Sequence, residues 1–399
     1  MEYLIVQKSQ LDSGNRLDAE FYCIKGNLKF PFVIGKDAVE FVQYGTSKEL
    51  NEECRGYPIL RLNEFDSYFI GDPAKYCDKI SNQTFEDLRL KKGDVLVCRT
   101  NGNPHLVGKA AMVTEDRNIA FASYLFRIRP KKKLINSASL TTFLNSKYGR
   151  QQIEKFLMPS IQSNFSPAKF REIKIPILTN SLQAYIDRLL QKSRSQFENS
   201  KRDYRKAEQV LLEELDINNL HENNFLFATV GLSETKLVSR FDAEYFNSPC
   251  SKMLAQITKG QTVKLGDLAD LTKGVEPGAE AYQNDGKLFI RVSSISKDGI
   301  IGKTQKYVSE ELYNEYKNDY QPQVGEILLT KDASPGMACI VREPTEGIIS
   351  SGVMRLQLKD KINPEYLTLV LNSVVGRLQA ERDAGGSIIA HWKPEQIKK

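Results

Sequence analysis

A few short stretches of the sequence carry residue types that could support catalysis. Residues 102–109, GNPHLVGK, resemble a phosphate-binding loop, in which backbone N–H groups surround a phosphate. Five residues separate its two glycines, where such a loop needs four, and Ala110 occupies the position of the magnesium-binding hydroxyl. A tight turn between two strands is therefore the better interpretation.

Other catalytic patterns are incomplete in the same way. Glu172 and Lys174 form a Glu-x-Lys pair of the kind that nucleases use, but Lys174 lies in an apolar run before Pro176 and no paired acidic motif precedes it. GGSII at Gly385 lacks the order of a GxSxG nucleophile elbow. The six cysteines form no CxxC pair, and three histidines are few for a zinc site. We predict that the chain is not an enzyme by itself and needs no metal or cofactor.

The composition is typical of a soluble globular protein. The 399 residues are 41% hydrophobic and 27% charged, which is enough for two or three domains with buried cores. The N-terminus has no secretion signal, and no apolar run approaches the ~20 residues of a membrane helix. Scattered cysteines then predict a cytoplasmic protein without a membrane partner. The net charge of +6 indicates a polyanionic partner only weakly.

Much of the sequence occurs twice. RLDAEFY at residues 16–22 returns as RFDAEYF at residues 240–246, and further matching blocks come in the same order with offsets between 224 and 232. Because this period has the size of a domain, the repeat indicates a domain duplication. The other matching blocks are 58–62 with 288–292, 93–97 with 325–329, 108–113 with 336–341, 125–128 with 353–356, 144–150 with 371–377, and Ser160 and Pro167 with Ser387 and Pro394.

The matching blocks and the segments between them differ in character. GDVLV and GEILL predict a turn followed by a buried strand, and residues 143–157 have helical spacing. The intervening loops diverge: residues 99–106 are RTNGNPHL, whereas residues 331–335 are KDASP. One scaffold with two loop sets predicts two related sites of different specificity. In the repeated phrase itself, we expect Arg and Asp to fix a local turn rather than to contact a ligand.

Residues 179–217, between the copies, contain neither glycine nor proline. Apolar residues recur there at steps of three or four, which predicts one helix about 50 Å long with a stripe that needs a partner helix. We interpret it as a coiled-coil spacer, with a simple linker helix as the alternative. The residues expected to pack in this spacer helix are Leu182, Ile186, Leu189, Phe197, Tyr204, Leu211 and Leu215.

Two diverged domain copies around one long helix resemble the specificity subunit of type I restriction-modification systems. The resemblance covers nearly the whole chain and rests on the order of the blocks, since no single motif is highly specific. It implies an α+β fold with two homologous target recognition domains of mixed β-sheet and helices, residues 1–178 and 218–399, joined by a long coiled-coil spacer helix at 179–217. It also implies recognition of a bipartite target in double-stranded DNA. The implied partners are modification subunits, which methylate adenine with S-adenosylmethionine, and restriction subunits, which hydrolyse ATP.

The sequence departs from that family at its end, where the spacer helix expected after the second copy is missing. Either the chain is truncated there, or a helix from another chain takes that role, in which case we expect a homodimer through the spacer helix or a helix borrowed from a partner. Three other interpretations stay open: a bivalent protein-interaction scaffold that binds no DNA, the recognition part of a split restriction-modification enzyme, and a fused nuclease or methyltransferase fragment.

Residues that contact DNA should lie mainly in the unshared loops, where Arg, Lys, Asn, Gln, Ser and Thr can reach base edges or phosphates. For each candidate, a solvated loop residue or a local cap is the alternative. In the first copy the candidates are Arg61, Asn63, Arg99, Thr100, Asn101, Asn103, His105, Lys109, Gln162, Ser163 and Asn164. In the second copy they are Arg291, Ser293, Ser294, Lys297, Lys331, Ser334, Ser387, His391 and Lys393.

Overall fold

The structure, a computed structural model, separates into two compact units, Met1–Asn199 and Ser200–Lys399. Both units are mixtures of helix and sheet. In the part of the chain that the structure describes, none of the helices combines the length and apolar character that crossing a membrane requires. The described residues are 31–157, 164–217, 229–238, 240–246, 249–283, 285–300, 305–359, 362–385 and 390–399.

The first unit contains eleven strands and five helices in its described part, before a long helix begins. The strands are β1 (Phe32–Ile34), β2 (Val39–Tyr44), β3 (Tyr57–Leu60), β4 (Phe65–Asp66), β5 (Phe69–Ile70), β6 (Lys75–Cys77), β7 (Val95–Cys98), β8 (Ala110–Met112), β9 (Ala120–Phe121), β10 (Leu125–Pro130) and β11 (Lys174–Pro176). The helices are α1 (Gly35–Ala38), α2 (Asn82–Leu88), α3 (Ser137–Asn145), α4 (Lys147–Leu157) and α5 (Pro167–Glu172). The long helix is α6 (Asn180–Glu214).

The main sheet of the first unit has six strands in the order β2-β10-β7-β8-β5-β4, beside a three-stranded sheet β6-β3-β9 and the pair β1-β11. Strand β7 lies at the centre and is buried on both faces. Val95 and Val97 belong to one apolar cluster, and Leu96 and Cys98 belong to another. Successive side chains of a strand point to opposite faces, so the continuous apolar run VLVC suits a strand covered on both sides.

The second unit repeats this arrangement. Its strands are β12 (Ala269–Lys273), β13 (Lys287–Ile290), β14 (Ile295–Ser296), β15 (Gly299–Ile300), β16 (Lys306–Val308), β17 (Ile327–Thr330), β18 (Ala338–Ile340), β19 (Gly347–Ile349) and β20 (Val353–Leu358). Its helices are α7 (Leu232–Val238), α8 (Ala243–Phe246), α9 (Pro249–Ile257), α10 (Leu265–Leu268), α11 (Glu310–Tyr320), α12 (Pro364–Asn372), α13 (Val374–Ala384) and α14 (Pro394–Ile397).

The strand orders of the two units correspond. The four-stranded sheet β12-β20-β17-β18 matches β2-β10-β7-β8, the three-stranded sheet β16-β13-β19 matches β6-β3-β9, and the pair β14-β15 matches β4-β5. In both three-stranded sheets the central strand is antiparallel to one neighbour and parallel to the other. The repeated sequence therefore forms a repeated scaffold.

In each repeated Gly-Asp/Glu block, the acidic residue is buried next to the central strand of the main sheet. Gly93 and Gly325 have φ angles of 93° and 94°, a conformation that favours glycine, so each begins a turn. Asp94 is fully buried, and its carboxylate accepts from Arg129 Nε at 2.7 Å. Glu326 directly precedes β17, as Asp94 directly precedes β7, and it is also buried. These acids are structural, and the arginine blocks on β10 and β20 supply their partners.

A second repeated block supports the turn before β8 and β18. The side-chain amide of Asn145 accepts from Ala110 N at 2.9 Å and donates to Ala110 O at 2.8 Å. Asn372 makes the same two hydrogen bonds with the backbone of Ala338, at 2.8 and 2.9 Å. Each asparagine thus satisfies a buried edge of its own sheet, which explains why Leu-Asn-Ser recurs.

The long helix α6 packs differently along its length. Near its start, Gln183 is buried and accepts from Asn136 N at 2.8 Å, and Ile186 packs against the first unit's core. Leu182, Leu189 and Phe197 are 43%, 49% and 40% exposed.

Near the end of α6, the stripe packs against helices of the chain's own second unit. Leu211 is only 7% exposed, and Leu215 is half-buried against an apolar cluster that contains Cys250 and Met253. Leu215 packs with residues of α9, α12 and α13, and Leu211 lines a concavity together with Tyr366 and Leu369 of α12. Both leucines thus contact the second unit, whereas Leu182 and Leu189 near the start of α6 are exposed.

The second copy of the repeated phrase is structural, as expected. Arg240 Nε donates to Asp242 Oδ1 at 2.8 Å, and its Nη atoms donate to the carbonyl oxygens of Arg382, Asp383 and Gly385 at 3.1 to 3.3 Å. The last carbonyls of a helix lack partners within the helix, so this arginine caps the C-terminus of α13. The first copy, residues 16–22, lies outside the described residues.

Candidate nucleic-acid interface

In both units, the loop after the central strand lies beside a later segment of the chain. Thr100 forms an isolated antiparallel bridge with Asn164, and Asp332 forms the same bridge with His391. The next residue of each later segment is a buried aromatic whose N–H donates to the loop: Phe165 to Arg99 O, and Trp392 to Lys331 O, both at 2.8 Å. The structure therefore brings together, twice, the two loops in which most sequence candidates lie.

A short 3-10 turn comes after β3 and β13 at equivalent places, over Leu62–Glu64 and Val292–Ser294. Arg61 pairs with Glu64, with 2.6 Å between Nη2 and Oε1, so its guanidinium is held by its own turn. Ser294 is buried, and its hydroxyl accepts from Arg291 N. Asn63 and Ser293 are the exposed side chains of the two turns.

In the first unit, several candidates shape their own loop. The Asn101 side chain accepts from Asn103 N at 2.8 Å, and the Asn103 side chain accepts from His105 N at 3.0 Å. Asn103 thereby caps the 3-10 turn Pro104–Leu106, and its neighbour His105 is exposed. The Arg99 guanidinium lies 5.3 Å from the centre of the Tyr44 ring. Lys109 is half-buried and Asn164 exposed. Apart from the cationic side chains of Arg99 and Lys109, the groups described on this loop are neutral and polar.

In the second unit, the equivalent loops line a concavity of about 590 Å³. Arg291, Ser293 and Ser334 lie on its wall. So do several residues that were not among the sequence candidates: Glu276, Tyr282, Thr330, Asp332 and Ser351. The two acids were missed because the candidates were chosen as donors and cations; their position between repeated blocks was the available signal.

Asp332, on the wall of this concavity, is held by Lys331 and His391. The Lys331 side chain is 1% exposed, and its Nζ donates to both carboxylate oxygens of Asp332 at 2.9 Å. His391 Nδ1 contacts Asp332 Oδ1 from the other side. Lys331 is therefore inside the unit rather than on its surface, which makes a direct phosphate contact by its ammonium incompatible with this conformation. Ser294 is also buried, so a direct DNA contact by its hydroxyl is incompatible with this conformation as well.

The loop that carries Asp332 is strained. Ala333 has a φ angle of 59°, which L-residues other than Asn and Asp rarely adopt, and Gly336 has a φ of 95°. Ala333 N donates to Ala390 O at 2.9 Å, so the later segment holds the strained residue in place. Strain of this kind gathers at sites where a loop must present particular atoms.

Glu276 stands at the rim of the concavity, exposed but held by two hydroxyl groups. Ser351 Oγ donates to Oε2 at 2.7 Å, and the Tyr282 hydroxyl donates to Oε1 at 3.1 Å. Burial raises the pKa of Tyr282, and the neighbouring Glu276 carboxylate adds to that rise. At neutral pH the phenol therefore stays protonated and keeps donating to Glu276.

The remaining candidates are placed elsewhere. The Lys297 ammonium lies 4.7 Å from the centre of the Tyr204 ring on α6, and exposed Lys393 precedes α14. Neither lines the concavity. Gln162, Ser163 and Ser387 lie outside the described residues. Among the described residues, no group of three or more His, Cys, Asp or Glu side chains is placed to hold a metal ion.

The fold and these loops define a mixed helix-and-sheet protein with a duplicated scaffold and one polar loop site on each copy. Residues 258–399 match the family described as the type I restriction modification DNA specificity domain. Residues 258–399 are thus similar to the DNA specificity domain of type I restriction-modification systems, which agrees with the resemblance seen in the sequence.

Individual relatives are distant. The putative type I restriction enzyme MjaX specificity subunit of Methanocaldococcus jannaschii is 26% identical over 159 residues, which cover 39% of this chain. The match spans only 37% of that relative's length. A type I restriction-modification S subunit from M. genitalium has a TM-score of 0.41 at 12% identity, covering 94% of this chain and 84% of that one. The HsdS subunit from Thermoanaerobacter tengcongensis has a TM-score of 0.30 at 14% identity, covering 93% and 84%.

Proposed function

We propose that this chain is the sequence-specific DNA-binding subunit of a type I restriction-modification system, and that each unit recognises one half of a bipartite target. One observation carries the proposal: two copies of one scaffold join the same pair of loops by the same bridges, Thr100 with Asn164 and Asp332 with His391. The scaffold residues repeat, whereas the side chains on the joined loops differ. Such a protein recognises two different sequences with one architecture.

The chain would bind DNA without modifying it. Methylation of adenine and hydrolysis of ATP would belong to modification and restriction subunits, which the chain directs to its target. The exposed leucines near the start of α6, Leu182 and Leu189, form the surface proposed to receive a helix of such a partner or of a second copy. These side chains are 43% and 49% exposed, and burying a leucine fully contributes about 1.5–3 kcal/mol.

The test is selection from a pool of randomised duplex DNA with the purified chain at low salt, followed by measurement of the salt dependence of binding. Phosphate contacts release counterions, so affinity should fall steeply and log-linearly as salt rises. The enriched duplexes should share two short conserved blocks separated by a constant, unconserved spacer.

A second measurement separates the two units. Replacing residues 331–335 by the first unit's loop should change one conserved block and leave the other and the spacer unchanged. Salt-insensitive binding without an enriched sequence would contradict a recognition subunit and favour a protein-interaction scaffold. Transfer of a labelled methyl group to DNA by the chain alone would contradict a non-catalytic role.

A further inference from the structure

The fold identifies one position at which the two loop sites differ in charge. Gly45 and Gly274 directly follow the first strand of each main sheet, and a Cβ on either would lie 2.2 Å from a backbone oxygen of the neighbouring strand segment. The next residues form matching parallel bridges, Thr46 with Ala122 and Val275 with Ser350. The residue after each bridge is Ser47 in the first unit and Glu276 in the second. A neutral hydroxyl in one site thus corresponds to a carboxylate in the other.

Glu276 is arranged as an acceptor. Ser351 donates a hydrogen bond to Oε2 and Tyr282 donates one to Oε1, and neither donor carries a charge that would offset a carboxylate. A carboxylate has about four acceptor positions, so two remain for a ligand in the concavity. Asp332 differs, because buried Lys331 balances its charge. Within the described chain, the hydrogen bonds that hold Glu276 therefore come from neutral groups, whereas those that hold Asp332 include a cation.

A carboxylate on a DNA-binding surface repels phosphates, so it must serve another contact. In the major groove, guanine presents two acceptors, and adenine presents an acceptor beside its amine. Cytosine presents its N4 amine as a donor without an adjacent acceptor on the same base, and Glu accepts from that amine. Of the four bases, cytosine suits an acceptor that has no proton to give.

Resting on the proposed function, we propose that Glu276 is a specificity-determining residue of the second unit and accepts a hydrogen bond from the N4 amine of a cytosine in its half-site. Ser351 and Tyr282 are positioning residues that orient the carboxylate. Ser47 leaves the first unit without this preference. The two half-sites would then be distinguished partly by one side chain, Ser47 or Glu276, which lies two residues after the glycine that follows the first strand of the main sheet.

The test compares the wild-type chain with Glu276→Gln in selection from randomised duplex DNA. The wild type should require a cytosine at one position of one block. Glutamine adds a donor and suits the adenine N6 and N7 pair, so Glu276→Gln should lose about tenfold or more of the cytosine preference there and gain adenine, while the other block stays unchanged. Thermal unfolding should match the wild type, because the amide oxygen can still accept from Ser351 or Tyr282.

Glu280→Gln is the matched control, since Glu280 is exposed on the adjoining 3-10 turn, Ala279–Ala281, and does not line the concavity. It makes the same change of charge and should leave the selected sequence unaltered. An unchanged cytosine preference in Glu276→Gln, or an equal change in Glu280→Gln, would overturn the assignment while leaving sequence-specific binding intact. A wild-type chain that enriches no sequence would overturn both this assignment and the proposed function.

Discussion

The two units both bury an acid before the central strand of the main sheet, but they pair it with arginine at different distances. In the first, Asp94 is bound by Arg129 through two hydrogen bonds, at 2.7 and 3.0 Å, and lies 3.4 Å from Arg127. In the second, Glu326 has a single arginine contact, 3.7 Å from Arg355 Nε. The asparagine supports of both units are nearly identical in geometry. The asparagine hydrogen bonds to the backbone are therefore the same in both units, whereas the buried ion pair is shorter in the first unit than in the second.

The loop sites, in contrast to the asparagine supports, are held by different interactions in the two units. The first unit's loop is shaped by neutral asparagine caps, and the second unit's loop is shaped by a buried lysine, an aspartate and a histidine. Different interactions thus hold equivalent loops in equivalent places. Scaffold residues can therefore be recognised by repetition, and site residues by the failure to repeat.

The largest expected effect tests the difference between the ion pairs. Asp94→Asn leaves the Arg127 guanidinium, whose side chain is 4% exposed, without its counter-charge. Burial lowers the pKa of Arg127 and the attraction of Asp94 opposes that shift, so the pair is coupled. Breaking a buried pair from one side costs about 3–5 kcal/mol, so the first unit should be destabilised by that amount.

Glu326→Gln is the matched variant of the second unit and should cost less, about 1–3 kcal/mol, because its contact is longer. Hydrogen-exchange mass spectrometry of peptides from β7 and β17 would report each unit separately. Equal losses of protection in the two variants would show that the two pairs are equivalent after all.

The next effect distinguishes the two ends of α6. Leu211→Ala should lower the free energy of unfolding of the second unit by about 2–5 kcal/mol, since Leu211 is 7% exposed. Leu189→Ala should change stability by less than about 0.5 kcal/mol, as expected of a surface substitution. Urea denaturation of both variants measures the difference. A strongly destabilised Leu189→Ala chain would mean that the open stripe is already covered.

Leu189→Asp then tests the proposed partner surface. A charge in a helix interface should abolish co-purification with a modification subunit, or dimerisation measured by light scattering, without unfolding the chain. Gln191→Asp adds the same charge at another exposed position of α6 and should preserve assembly. If both variants assemble like the wild type, the stripe is not the docking surface.

A smaller effect should be the same in both units. Asn145→Ala and Asn372→Ala each remove two hydrogen bonds to a buried backbone edge, which costs about 1–3 kcal/mol when donors and acceptors are left unsatisfied. Exchange protection should fall at β8 in the first variant and at β18 in the second, by similar amounts. A loss confined to one unit would show that the shared asparagine block has lost its role in the other.

The sequence predicted the scaffold well because its signals are local or repeated. The blocks around Gly93 and Gly325 did form a turn and a central buried strand, and the glycine-free stretch did form a helix, Asn180–Glu214. Hydrophobic periodicity and turn glycines act within a few residues, so a single sequence carries them. Because the blocks occur twice, the prediction for each block could be compared with the prediction for its counterpart.

The site was predicted less completely because its geometry depends on distant segments. From the sequence, Lys331 was predicted to be a surface cation. In the structure it is buried beside Asp332 and the segment that carries Trp392. Leu211 belonged to the right stripe, but its covering helices include one that lies more than a hundred residues later. Glu276 was overlooked since an acid in a turn normally indicates solvent. Burial by remote elements leaves no pattern in the residues that are buried.

The smallest effect at neutral pH concerns one cysteine in each unit. Cys98 on β7 and Cys339 on β18 are fully buried in the equivalent clusters of the two main sheets, although the counterpart of β7 in the second sheet is β17. Burial raises the pKa of Cys98 to about 11 and that of Cys339 to about 12, from an ordinary value of 9.0. The thiolate is the form that reacts, so both thiols should resist alkylation.

Because the folded pKa of each thiol is raised, its contribution to stability is complete below pH 9.0 and is lost as pH rises toward about 11 for Cys98 and about 12 for Cys339. Mass spectrometry after iodoacetamide treatment in mildly alkaline buffer should find exposed Cys54 modified and the two buried thiols intact. As pH rises further, modification should begin at Cys98 before Cys339, and Cys98→Ala should remove the alkaline loss of stability from the first unit alone. Simultaneous modification of Cys98 and Cys54 would show that the first sheet opens more readily than its burial implies.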